Sequence, residues 1–322
     1  MSEPKNQHII PQCYLKQFVD LNTPANYEPY VWIFDRDKKT GKKKAPKNIL
    51  AETDFYTITT KVGEKNYAIE KTLSQIESEY ASVFETKIKV KLPLSDYDHI
   101  ILCAFTAAML QRTLKQKENI EGFIDQIIGM TEEMEKAHSL PAKKSLELTK
   151  EKENAHKISV VHMLPHITEM LLHMNLAFLC ANKSDSFITS DSPCYLFNPQ
   201  LQWQHFYGVG LAQKYTEVHM PLSPKISVCF SRVNNLRGYL EADTDLVHES
   251  NRMIFGHSYQ CFIASSPVIK CRWFRRFPLD PVFIMRIFKN KTWPQIKYSF
   301  NKLKKYVRRV GIKSSAKFNS HK

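Results

Sequence analysis

The chain has 322 residues, 43% hydrophobic and 24% charged, which excludes a disordered or collagenous polypeptide and allows one large domain or two small ones. Its net charge of +14 is unevenly held: residues 265–322 carry 16 Lys/Arg against the single acid Asp280, whereas residues 1–264 carry 30 basic and 31 acidic side chains. Nine Gly leave little for a glycine-rich phosphate loop or a repeat barrel. Seven Cys, odd in number and scattered through apolar stretches, read as reduced core thiols rather than a disulfide framework.

Met1 to Gln12 contains no apolar run of the kind a secretory signal needs. The longest uncharged apolar run, Ile100–Leu110, is shorter than the roughly 18 residues that span a bilayer, so a cytoplasmic location is expected. Tyr30–Phe34 is aromatic and β-branched and predicts a strand. Arg36–Lys47, with Lys42, Lys43 and Lys44, then reads as a basic hairpin or exposed loop, and Asn48–Leu50 and Phe55–Thr59 as short strands. From Ile69 to about Lys89 the apolar residues recur at helical spacing. Beyond Pro93, Ser95-Asp-Tyr-Asp98 has the pattern of a capping box opening a second helix. That helix is apolar nearly all round over Ile100–Leu110 and is expected to run through the middle of the fold.

Helical pattern continues to about Ala137, Pro141 interrupts it, and Lys143–Lys157 reads as a solvated helix. Apolar content returns over Val160–Ala181. His162, His166, Glu169 and His173 share one helix face there if the helix is continuous, and Pro165 argues against that. Short strands follow at Ser186–Thr189, Cys194–Phe197, Glu217–Pro221 and Ile226–Ser231, then a helix over Asp243–His257 and a last strand, Gln260–Ala264. Strands, helices and strands again predict an α+β architecture, with central buried helices packed on short, mostly antiparallel strands from both ends of a 1–264 body. In the extension, Ile296, Phe300, Leu303, Val307 and Val310 draw one apolar stripe, predicting an amphipathic helix near 292–310.

A near-neutral body with a cationic extension suits a polyanionic partner. The leading expectation is nucleic acid, contacted by Lys42, Lys43, Lys44, Arg275, Arg276, Lys304, Lys305, Arg308 and Arg309. Trp273, Phe274, Phe277, Trp293, Tyr298 and Tyr306 interleave aromatics that suit base stacking. An anionic membrane surface receiving the 292–310 helix is the rival from another class. A third arrangement packs the extension on the body or on another chain.

His8-Ile-Ile-Pro11-Gln12-Cys-Tyr14-Leu15-Lys-Gln-Phe18 resembles the opening motif of the domain-of-unknown-function family 4238. Matching pieces follow in the same order: Val31–Asp35, Asn48-Ile49, Asp54-Phe55-Tyr56, Glu70 with Glu77, Gln111-Arg112-Thr113, Phe187–Pro193, Pro221–Pro224 and Asn251. They cover roughly Gln7–Ala264, with Ser192 departing from the Asn of the family's pattern. The family's biochemistry is uncharacterised. Some members resemble accessory genes of bacterial antiphage loci, so the resemblance permits a defence role.

Four candidate catalytic residues emerge. His8 would serve as a base, Gln12 as an orienting amide, Arg112 as an anion clamp and Asp191 as a carboxylate, a set suited to phosphodiester or phosphate hydrolysis. Gln111 and Asn251 join them as candidate binding residues. Each has a purely structural alternative. Arg112, at the polar end of a buried helix, is equally read as paired with Glu70, Glu77 or Asp191. Asp191 in Ser-Asp-Ser-Pro is a good turn former, and His8 can pin the N-terminal segment by a backbone hydrogen bond. Glu70 and Glu77, seven apart on one helix face, are either Mg²⁺ ligands or ordinary ion-pair partners. No string names a metal or cofactor.

Overall fold

The computed structural model describes residues 6–37, 40–59, 64–202, 208–232 and 236–274. Arg275, Arg276, Lys304, Lys305, Arg308, Arg309 and the predicted 292–310 helix lie outside the described residues.

The N-terminal third is built from short pieces: β1 (Asn6–His8), α1 (Gln12–Leu15), β2 (Val31–Asp35), β3 (Gly41–Lys44), β4 (Ala51–Thr53), β5 (Ile58–Thr59) and β6 (Lys65–Asn66). Four long helices follow, α2 (Ala68–Val83), α3 (Asp96–Gln111), α4 (Leu114–Ala137) and α5 (Lys143–Leu172). The C-terminal part holds β7 (Asn175–Ala181), β8 (Thr189–Ser190), β9 (Tyr195–Phe197), β10 (Glu217–Pro221), β11 (Ile226–Ser231), β12 (Gly238–Ala242), α6 (Thr244–His257) and β13 (Cys261–Ala264). The architecture is α+β.

Capping explains where the central helix begins. Ser95 Oγ accepts the Asp98 N–H, and the Asp98 carboxylate accepts the Ser95 N–H, the reciprocal box anticipated from the residues. Inside α3, Leu102, Cys103, Phe105, Ala107 and Met109 are fully buried, and α2 and α5 pack against its flanks. Tyr80 of α2 stacks on Phe105, with ring centroids 3.6 Å apart. At the other end Thr113 caps α4 by accepting the Gln116 N–H.

Contrary to expectation, α5 runs unbroken through Pro165. Pro165 is exposed, so its ring projects into solvent, while Val160, Ile167 and Leu171 bury the opposite face. That burial offsets the roughly 3 kcal/mol a mid-helix proline costs. The stripe of His162, His166, Glu169 and His173 therefore exists, but all four side chains face solvent.

Beside the two-stranded pairs β1–β4 and β5–β6, two larger sheets are assembled from chain-distant strands. The larger has the order β12-β7-β11-β10-β9, antiparallel except for the parallel β12–β7 pair, and the smaller the order β3-β2-β13-β8. Tyr14 of α1 ties them together. Its hydroxyl donates to the Pro221 carbonyl at 2.6 Å and lies 2.6 Å from Thr189 Oγ1. With its one proton committed to Pro221, Tyr14 accepts from Thr189. The N-terminal motif is thus a clasp between β8 and β10. Among the described residues no helix is long and apolar enough to cross a membrane.

Candidate functional site

Arg112, 1% exposed, terminates α3 and sits at the centre of one polar cluster. Its Nη1 donates to Glu77 Oε1 at 2.6 Å, its Nη2 to the His8 carbonyl, and its Nε to the Tyr56 hydroxyl at 3.1 Å. Burial alone would drive the guanidinium down, but Tyr56 and Glu77 beside it raise it above its ordinary value. Burial also pushes the Glu70 carboxyl up, against the pull of Arg112 and with the repulsion of Glu77. The half-buried His8 imidazole is pushed down by the same desolvation, against its contact with the Lys47 carbonyl. Glu70 and His8 each feel the charges of Arg112 and Glu77, and burial disfavours the charged form of both.

The structure thus brings His8, Arg112, Glu70 and Glu77 together. Gln12, half-buried on α1, makes no side-chain hydrogen bond among the described residues. Asp191 is placed elsewhere. Its carboxylate accepts the backbone N–H groups of Tyr259, Gln260 and Cys261, clamping the turn into β13. Burial raises its carboxyl despite these amides, and Arg36 lies near. Asn251 pins the segment entering β8, accepting from the Ile188 N–H and donating to the Ser186 carbonyl. The Gln111 carbonyl meets His156 Nε2 at 2.9 Å, while its side-chain oxygen is buried without a partner among the described residues.

On another side of the α3–α4 junction lies a cavity of about 120 Å³. Thr113, Lys115, Gln116 and Asn119 line it from the start of α4, Ser192 and Cys194 from the β8–β9 connection, and His257 from the end of α6. His257 Nδ1 is 2.9 Å from the Met253 carbonyl, which can only accept, so Nδ1 holds the proton and Nε2 the lone pair. Burial drives its pKa down to about 4, so the ring is neutral at pH 7. Ser192 Oγ is buried with no partner among the described residues. Lys115 supplies the positive charge; burial lowers its pKa, with Arg36 adding and Asp191 opposing. A cation, a neutral imidazole with a free lone pair and an uncommitted hydroxyl therefore share one small space.

Sequence reasoning did not single out Lys115 or His257, and treated Ser192 only as a turn detail. The available signal was adjacency: Thr113 and Ser192 flank Arg112 and Asp191 in the two strings that carried the resemblance.

The basic segment at 36–47 is partly committed to the fold. Lys42 pairs with Asp35 at 3.2 Å, and Lys43 lies over the Tyr30 and Trp32 rings. Together with the exposed Lys44 these lysines line β3, an edge strand, where positive charge also discourages strand addition. The root of the extension is docked. Trp273 is 4% exposed and donates its Nε1–H to His248 Nδ1 at 2.8 Å, and Phe274 packs edge-on against Phe255. Lys270 faces Asp185, and Arg272 faces Asp245. Trp273 and Phe274, anticipated as base-stacking rings, are packed against α6 and its neighbours.

A family model described as "Protein of unknown function (DUF4238)" matches residues 6–267, and the chain belongs to that family. No curated protein and no solved structure matches the chain significantly.

Proposed function

We propose that this member of the DUF4238 family is a nucleic-acid-associated protein, recruited through its cationic extension and presenting the α3–α4 cavity to a phosphate-bearing group. The observation that carries the reading is the charge partition: residues 265–322 hold 16 Lys/Arg and one acid on a body that is close to neutral. Such an extension releases counterions from a polyanion, so affinity is dominated by phosphate contacts and falls steeply with salt. Trp273 supports the arrangement, because it fastens the root of the extension to α6. The cavity suits a phosphoryl group through Lys115, Gln116 and the Ser192 hydroxyl, with room for about one small polar group.

A second reading, hydrolysis of a phosphodiester, is favoured by one feature of the cavity, the neutral His257 with its unencumbered Nε2. His8, Arg112 and Asp191 suit that chemistry less well, because Arg112 and Asp191 already direct their polar atoms into the fold.

The test compares the full chain with one ending at Phe274 on a single-stranded oligonucleotide. A cut at Ala264 would also remove the buried Trp273 and confound binding with folding, since losing such a side chain costs about 3–5 kcal/mol. The full chain should bind, losing about 10³-fold or more between about 50 and 200 mM salt, and the shortened chain should not. Equal binding by the two chains at one ionic strength refutes the proposal. So does recruitment by anionic vesicles with none by oligonucleotide.

A further inference from the structure

The central hairpin of the larger sheet carries a cluster that none of the above uses. In the β10–β11 pair His219 lies opposite Cys229 and Glu217 opposite Ser231. Residues two apart on a strand share a face, so Glu217, His219 and Cys229 converge on one spot. Their ligand atoms all lie within 4.8 Å of one another, and all three residues are buried. His219 Nε2 is 3.1 Å from Glu217 Oε2 and 3.6 Å from Cys229 Sγ.

The one ring nitrogen can either donate a proton to the carboxylate or accept the thiol's S–H, but not both. A cation between the three atoms satisfies all of them. The two distances from His219, 3.1 and 3.6 Å, are close to what an ion needs: around tetrahedral Zn²⁺, with bonds of roughly 2.3 Å to sulfur and 2.0–2.2 Å to nitrogen or oxygen, neighbouring ligand atoms stand about 3.3–3.6 Å apart. Charge supports it as well. A thiolate and a carboxylate neutralise a divalent ion, leaving a buried site with no net charge. Without an ion, Glu217 is a buried carboxylate whose neighbours are His219 and the Ser231 hydroxyl at 3.2 Å. Tyr195 stacks on His219 at 4.8 Å, nearly parallel, and fixes the plane of the ring. Ser231 orients the carboxylate as outer partners of metal ligands do.

We propose that Glu217, His219 and Cys229 form a binding site for a zinc-class divalent cation. A water or the second Glu217 oxygen completes the coordination, and the ion locks the β10–β11 hairpin. The ion binds sulfur as thiolate, so loading displaces the Cys229 thiol proton.

The experiment strips the full chain with chelator and titrates it with Co²⁺, then with Zn²⁺. One ion per chain is expected, with a thiolate-to-cobalt charge-transfer band that zinc abolishes and that is missing in Cys229→Ser. X-ray absorption of the zinc-loaded wild type, which needs no variant, should show one sulfur at about 2.3 Å and otherwise nitrogen or oxygen. No uptake would mean that His219 and Glu217 form an ordinary hydrogen-bonded pair, and would overturn the site. So would a zinc shell without sulfur or with several sulfurs, or a charge-transfer band that survives in a folded Cys229→Ser chain.

Discussion

Replacing Arg112 by Met separates a fold-holding role from an anion-binding one. The guanidinium donates to Glu77, Tyr56 and the His8 carbonyl, and Met fills much of its volume while donating nothing. Breaking a buried ion pair on one side costs about 3–5 kcal/mol, because the partner charge is left without compensation. Glu77 is 23% exposed, so water recovers part of that loss and about 3 kcal/mol is the reasonable expectation. In a body of this size each kcal/mol moves the melting temperature by roughly 2–4 °C, which predicts a fall of about 6–12 °C. Calorimetry or circular dichroism reads it directly. Glu77→Gln keeps an acceptor for Arg112 and should fall by less, about 1–2 kcal/mol. An Arg112→Met chain that melts within about 2 °C of wild type yet no longer holds oligonucleotide would refute this reasoning and return Arg112 to the role of anion clamp.

His257 makes stability depend on pH. Its folded pKa, about 4, lies below the ordinary value near 6.5, so the unfolded chain binds more protons between those limits. The contribution of neutral His257 is complete above about pH 6.5 and is lost as pH falls to about 4, a total of about 3 kcal/mol. Denaturant titrations should show this slope in wild type and a shallower one in His257→Asn, whose amide can still donate to Met253; identical slopes would remove the argument. The same variant tests hydrolysis: it should hold oligonucleotide normally and release no product, and undiminished turnover excludes His257 as the base.

Much of the fold was legible because its signals are local. The Ser95–Asp98 capping box is closed within four residues, and β10 and β11 follow the predicted bounds Glu217–Pro221 and Ile226–Ser231. The strand β7 was not legible. Asn175–Ala181 lies in the large sheet between β12 and β11, so its apolar run is continuous rather than alternating, and it follows α5 with only a short turn. Proline 165 misled because propensity weighs the local cost and not the burial of Val160, Ile167 and Leu171. At the site, the Glu77 pairing of Arg112 was among the partners anticipated. The cavity was not, because Lys115, Ser192 and His257 come from three separate elements and no spacing rule relates them.

The motif residues that carry the family resemblance are mostly holding the chain together across long sequence separations. Tyr14 reaches Thr189 and Pro221, Arg112 reaches His8 and Glu77, Asp191 caps the turn at Tyr259–Cys261, and Asn251 receives Ile188. Each is a buried polar group with its partners supplied, the condition under which such groups stabilise one arrangement rather than many. Chemistry is better sought where a buried polar atom is left unanswered, because that imbalance carries a penalty unless a ligand relieves it. Ser192 Oγ at the cavity is such an atom, and the over-subscribed Nε2 of His219 in the β10–β11 hairpin presents a related imbalance. The two places make independent demands, one for a hydrogen-bonding anion beside Lys115 and one for a cation between a thiol and a carboxylate. A chain that met both would carry a metal-stiffened hairpin and, separately, an anion-binding cavity.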